Sequence, residues 1–252
     1  MSTRIAERAD TRVRRGPVYH RQVEQGAAMV PDAGWARPER FAGQAEEVRA
    51  ARQRIALFDE SPEVKWDVRG RDLAGSMALL GLDGANLTAG LAQWAQVGEP
   101  GSRVLACRLT AEQLLLLAPP ADAEPVGAIV RKVVSDAGGC LHATDLTTGL
   151  ASLRLVGPRT PDLLRRLTAV DLDPQRFPDL ACTQVGLAKI HAIVVRRDVA
   201  GLPGYSLLVG WDYGEYVWDV CLVVGHDLGI VPAGLAALRD LAEMVAPDLW
   251  SA

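Results

Sequence analysis

The chain has 252 residues, 49% of them hydrophobic and 23% charged, with a formal net charge of −4. Such a length buries a sizeable core, as one large domain or two small ones. The acidic balance argues against a nucleic-acid partner, whose phosphates need a basic excess. No apolar run reaches the ~20 residues of a membrane span. The nearest, 217–238, is broken by Asp219, His226 and Asp227.

Residues 1–16 carry Arg4, Arg8, Arg12, Arg14 and Arg15 without an apolar signal core, and Glu7 and Asp10 suit no transit peptide. This predicts a flexible N-terminal arm on a cytoplasmic protein. The polar stretch 37–56 predicts a helix that stops before "LFDES". "EVKWDVRG" alternates as a half-buried strand does, and "RDLAGSMALLGL" follows with helical spacing. The segment 86–103 is rich in loop formers. "VLACRLTAEQLLLLAPP" predicts a hairpin turning at Thr110–Glu112, and "PVGAIVRKVVSDAGG" a helix stopped by glycines.

The second half predicts a strand at "GLASLRLVG", then a helix at "RTPDLLRRLTAV" with Thr160 as candidate N-cap and Pro161 at the first helical position. A longer hairpin follows over 189–210, then an amphipathic helix at "YGEYVWDVCLVVGHDLG". The cysteines at 107, 140, 182 and 221 lie far apart with no CxxC, which predicts buried thiols. The four histidines show no i, i+4 pair, so no metal site is expected.

One phrase occurs twice. Asp59, Ser61 and Gly70 frame "DESPEVKWDVRG", and Asp145, Thr147 and Gly157 frame "DLTTGLASLRLVG", 86 or 87 residues on. Each Asp-x-Ser/Thr is expected to form a side-chain-bonded turn ahead of a strand. With Arg108 answering to Arg196, the chain predicts an α+β fold of two pseudo-repeated βαββα-type halves, 17–139 and 140–252. Their sheets would meet and leave a cleft for a small-molecule ligand.

The order of His20, Gly26, Ala27, Gly34, Trp35, Pro38, Glu47, Arg49, Phe58, Asp59 and Ser61 resembles the opening of the aminomethyltransferase (glycine cleavage T-protein) family. "DLTTGLASLRLVGPRTPDLLRRLTAVDLDPQRF" is more similar to the gamma subunit of sarcosine oxidase, of the same superfamily. The resemblance implies a cloverleaf around a tetrahydrofolate pocket and transfer of a methyl or aminomethyl unit at folate N5. It implies in addition that the chain, stopping at Ala252, lacks the family's C-terminal barrel domain.

The resemblance also locates the departures. The family's Asp that serves the reacting nitrogen aligns with Ser102 and Arg103. The Glu positions of its second-hairpin motif fall on Leu202 and Ser206, beside a retained Gly201, Gly204 and Tyr205. An Arg and a Glu near the end fall on Ala242 and Met244. A carboxylate accepting a pterin's N–H groups contributes about 1.5–3 kcal/mol per bond, and Leu202 can make none.

Ser102, Arg103, Arg196, Leu202 and Tyr205 are therefore the candidate ligand-binding residues, with no catalytic residue assigned. Arg103, Arg108, Arg196 and Arg197, with Asp198, are the charged residues nearest the expected cleft, as candidates for anion capture or as solvated hairpin ends in local ion pairs. The expected function is folate-linked one-carbon transfer by a family member with an altered site. Two alternatives stand beside it. One is a non-catalytic subunit of an amine-oxidising or demethylating complex. The other is a cleft enzyme acting on a non-folate small molecule. A protein partner or homo-oligomer is expected, since Trp250 lies two residues from the end.

Overall fold

The computed structural model describes residues 13–71, 73–82, 86–98 and 101–244. Arg14–Arg15 form a short strand, β1, and Tyr19–Glu24 a helix, α1. Ala28–Asp32 (β2) and Trp35–Arg40 (β3) make a hairpin, and β1 pairs parallel with β3. The expected loose arm is thus held to a strand at Arg14 and Arg15. Residues 1–12 and Trp250 lie outside the described residues.

The helix expected over 37–56 is divided. β3 runs through Pro38, whose ring and missing N–H disfavour a helix interior. The helix α2 covers Gln44–Gln53, and Ile55–Asp59 is already a strand, β4. Buried Glu47 fastens α2: its carboxylate accepts N–H groups of Phe41 at 2.6 Å and of Gly234 at 2.8 Å.

The first repeat continues with β5 (Val64–Gly70), α3 (Leu73–Met77), β6 (Leu91–Val97), β7 (Ser102–Thr110), β8 (Gln113–Ala118) and α4 (Ala123–Asp136). β6 replaces the expected loop. Glycines 90 and 98 bound it, but the seven residues between pair in full register with β7. The second repeat comprises β9 (Leu141–Asp145), β10 (Leu150–Val156), α5 (Thr160–Leu167), β11 (Cys182–Leu187), β12 (Ile190–Arg196), β13 (Gly204–Gly210), α6 (Gly214–Val224) and β14 (Ile230–Pro232). α7 (Leu235–Glu243) follows. Thr160 is the first residue of α5 rather than its cap, and its buried hydroxyl has no hydrogen-bond partner.

Two large sheets result, ordered β6-β7-β8-β5-β9 and β11-β12-β13-β10-β4-β14. Each takes in the leading strand of the other repeat. β4 pairs antiparallel with β10, and β9 with β5. The two Asp-x-Ser/Thr turns are the points at which the chain crosses between sheets.

The hydrogen bonds repeat across this crossing. The Ser61 N–H bonds Asp59 Oδ1 at 2.9 Å, and the Thr147 N–H bonds Asp145 Oδ1 at 2.8 Å. Ser61 Oγ accepts the Ser152 N–H, and Thr147 Oγ1 the Lys65 N–H. The Glu60 N–H reaches Ser152 O, and the Leu146 N–H reaches Lys65 O, both at 2.8 Å.

The two glycines complete the pattern. A Cβ on Gly70 would collide with Cys140 O, and one on Gly157 with Arg54 O. Arg54 and Cys140 are the residues that enter β4 and β9. Each glycine is the clearance that lets the incoming strand pass.

Helices cover the outer faces. α3 and α4 pack on the first sheet through Met77, Val126 and Val130, and α5 and α6 on the second through Leu164, Val217 and Trp218. Between the sheets lie Leu105, Cys107, Leu115, Leu117, Ile193, Val195 and Leu208. α2 and α7 close the β4–β14 end over Ala56 and Phe58. Cys107, Cys182 and Cys221 are buried as expected, whereas Cys140 is exposed at the turn into β9. Among the described residues no cluster could hold a metal ion, and no helix is long and apolar enough to cross a membrane.

Candidate functional site

A cleft of about 420 Å³ opens where the two halves meet, above the first crossing turn. Its floor is Glu60, Glu63, Arg154 and Arg197. One wall is Leu117–Ala121, where β8 ends. The other is Val199 with Leu235, Leu238 and Ala242 at and along α7. Asp32, Ala33 and Arg37 of the β2–β3 hairpin, with Trp94 and Arg103, complete the lining. A wider groove of about 650 Å³ near Arg69, Cys140 and His142 has no buried side chain in its lining.

The floor is a buried charge network. Arg197 donates through Nη1 to Glu63 Oε1 at 2.7 Å, through Nη2 to Glu60 Oε2, and through Nε to Ser206 Oγ at 2.7 Å. Arg154 reaches Glu60 Oε1 at 3.5 Å and Arg197 O at 3.1 Å. Ser152 Oγ bonds Glu63 Oε2 at 3.3 Å. Burial by itself would raise the Glu60 pKa. The positive field of Arg197, Arg154 and Arg37 outweighs it and holds the carboxyl below its ordinary value. Burial lowers the Arg154 pKa, while Glu60 and Glu63 carry that of Arg197 above its usual range.

Lys65 lies fully buried in β5. Its Nζ donates to Ser61 O and Glu63 O, both at 2.8 Å, and desolvation brings its pKa down to about 8 against the pull of Glu63, Asp59 and Glu60.

The sides pair separately. Arg37 bonds Asp32 at 2.8 Å, and Arg239 spans Asp32 at 3.3 Å and Glu39 at 3.5 Å. Asp198 is taken by Arg196 in a bidentate pair at 2.7 and 2.9 Å. Arg103 has no acid partner among the described residues. Its guanidinium lies over the Trp94 ring, 4.1 Å from the centroid.

Of the five residues singled out from the sequence, Arg103 lines the cleft. Ser102 is buried in β7. The Arg196 guanidinium is also bonded to the carbonyls of Pro174 and Phe177 at 3.0 and 2.7 Å. Tyr205 is fully buried and donates to Leu172 O at 2.9 Å. Leu202 packs against the α2–α7 cluster. Ser206 is drawn into the floor through Arg197.

The sequence reading missed Glu60, Glu63 and Arg154. The available signal was three charged residues, 60, 63 and 65, within a run leading into an otherwise apolar strand. Their partners stand 89 to 137 positions away.

The model of the GCVT N-terminal domain family matches residues 18–244. An aminomethyltransferase of Anoxybacillus flavithermus is 30% identical over 234 residues, covering 90% of this chain and 63% of that protein. The crystal structure of the glycine cleavage system aminomethyltransferase T from Bartonella henselae superposes with a TM-score of 0.79 at 20% identity. It covers 91% of this chain and 62% of that one. A chain of the heterotetrameric sarcosine oxidase from Corynebacterium sp. U-96 superposes at 0.61 and 20% identity, covering 86% of this chain and 97% of its own. The two-sheet fold with its crossed strands is an aminomethyltransferase-type N-terminal fold. This chain belongs to the GCVT family, and it spans less than two thirds of the aminomethyltransferases it matches.

Proposed function

We propose that the protein takes part in folate-linked one-carbon transfer and holds the carrier in the cleft above Glu60 and Glu63. The observation that carries this reading is the cleft itself: a chain of this family keeps about 420 Å³ open between its halves, with two carboxylates in the floor. The residues present fit a tetrahydrofolate. Each of the four carboxylate oxygens is held by one donor, so a second lone pair stays available to the N–H groups of a pterin. Pro119, Leu238 and the Trp94 ring offer apolar walls. Bound tetrahydrofolate would supply N5, the atom that carries the one-carbon unit.

The chain's own contribution is to bind and orient. Where the resemblance expects a free carboxylate stand Ser102 and Arg103, and the floor glutamates are neutralised by Arg197 and Arg154. The second reading, a subunit of a larger amine-oxidising or demethylating complex, is favoured by one observation. The matched chain of a heterotetrameric oxidase is covered over 97% of its length, so modules of this extent occur as separate subunits there.

The test is an anaerobic titration of the purified chain with tetrahydrofolate, followed by tryptophan fluorescence and calorimetry. Saturable binding in the micromolar range is expected, with the fluorescence change reduced in W94F. Absence of binding in both measurements rejects the folate reading for this chain and turns the search to partner chains.

A further inference from the structure

Charge in the cleft is balanced everywhere except at one point. Of the five arginines in its lining, four are engaged by carboxylates. Arg103 is the exception among the described residues, and it is held by a ring instead of an acid. A guanidinium stacked on tryptophan keeps its N–H edge free, because the stack uses only its face. The protein as a whole is acidic, at −4, so a cation without an acid partner among the described residues is not part of a general basic surface.

Position matters as much as charge. Arg103 stands at the start of β7, next to buried Ser102, and lines the cleft. A cationic centre placed beside Arg103 would be repelled, and an anionic one drawn in. Beyond Arg103 the walls turn apolar, with Leu117, Pro119 and Leu238.

We propose that Arg103 is the anion anchor of the cleft, and that the ligand is an organic acid whose carboxylate pairs with Arg103 while its apolar body lies along Trp94 and the Leu117–Pro119 wall. The proposal rests on the cleft being the ligand site and adds the chemistry that selects the ligand. Two sources carry that chemistry: a small carboxylic acid, or the glutamate tail of a folate.

The test uses benzoate as the smallest aromatic carboxylate and benzamide as its neutral isostere. Each is titrated into the intact chain by calorimetry and tryptophan fluorescence. Benzoate is expected to bind at least about tenfold more tightly than benzamide, with the preference weakening as salt rises. R103M is expected to remove the preference and R103K to retain part of it. Position 103 is exposed, so these variants should keep the wild-type melting temperature.

Tetrahydrofolate and tetrahydropteroate, which lacks the glutamate, distinguish the sources. A loss in R103M for the first alone identifies the tail, and a loss for benzoate alone identifies a small acid. Benzoate that fails to bind, binds no better than benzamide or is unaffected by R103M overturns the proposal when tetrahydrofolate binding shows no loss in R103M either. Tetrahydrofolate that binds while neither it nor benzoate responds to R103M would overturn it and leave the folate reading in place. Arg103-dependent benzoate binding without tetrahydrofolate binding would do the reverse.

Discussion

The two crossing turns share one backbone device and sit in opposite surroundings. Asp59, Glu60 and Ser61 are buried, whereas Asp145 is exposed and Leu146 and Thr147 are half-buried. Glu60 occupies the place of Leu146, and Lys65 that of Ser152, as the exchanged hydrogen bonds establish. The turn geometry is therefore the property of the fold, since it survives in both copies. The charged network surrounds the first turn alone, with Glu60 and Glu63 beside it and Arg154 and Arg197 reaching in from the second repeat. The cleft floor lies where the frame is symmetric and the side chains are not.

The largest expected effect comes from breaking that asymmetry at Arg197. It serves both floor glutamates and Ser206, and it is about 5% exposed. R197M leaves Glu63 buried without its cation and Glu60 with Arg154 alone, a loss of about 3–5 kcal/mol in urea unfolding. The double variant R197M/E63Q removes the stranded charge, leaves Glu60 paired with Arg154, and should recover a large part of that. By contrast, R165M breaks the exposed pairs to Asp162 and Asp173 and should cost under about 1 kcal/mol. If R197M and R165M cost the same, the floor network is not a buried one.

Lys65 sharpens the comparison through pH. Its folded pKa of about 8 lies below the ordinary 10.5, so the folded state gives up the proton first. Between about pH 8 and 10.5 the unfolded chain holds more protons at this site, and stability from Lys65 rises with pH. The buried thiols act in the opposite sense above pH 9, since burial raises their pKa, to about 12 for Cys182 and Cys221. The measurement is therefore a difference. Wild type should gain about 3 kcal/mol on K65M between pH 7.5 and 10.5, with the thiols cancelling. A pH-independent difference would mean that Lys65 is solvated.

Much of the frame was legible in the sequence, because the repeat, the Asp-x-Ser/Thr turns and the strand-end glycines are local signals. Their exchange between sheets was not, because pairing β4 with β10 is decided by contacts some 94 to 100 residues apart. Edge strands β6 and β11 were obscured for a related reason. Their composition is mixed, and only pairing with β7 and β12 fixes them as strands. Within the site, Arg103 was legible because a motif position named it. Arg196 and Tyr205 were drawn from the same hairpin, but they lie where the strand turns them toward Phe177 and Leu172. Glu60 and Glu63 carry little local signal of a site, because the arginines that close over them come from β10 and the β12–β13 turn.

The smallest expected effect tests the turns directly. Asp59 does two things: Oδ1 accepts the Ser61 N–H, and Oδ2 accepts Nε2 of Gln22 at 2.9 Å, with Gln22 itself buried. Asp145 does the first of these only, and water reaches it. D59A strands two donors away from solvent and should cost about 2–3 kcal/mol. D145A lets water replace the lost acceptor and should cost under about 1 kcal/mol. D59N keeps the turn's acceptor oxygen and should recover part of the loss, while D145N should be near wild type. Urea midpoints of the four variants decide the matter. Equal costs at 59 and 145 would show that the frame alone sets the stability of both crossings. A larger cost at 59 would show that burial under α1 and the cleft has made one copy of the turn structurally indispensable.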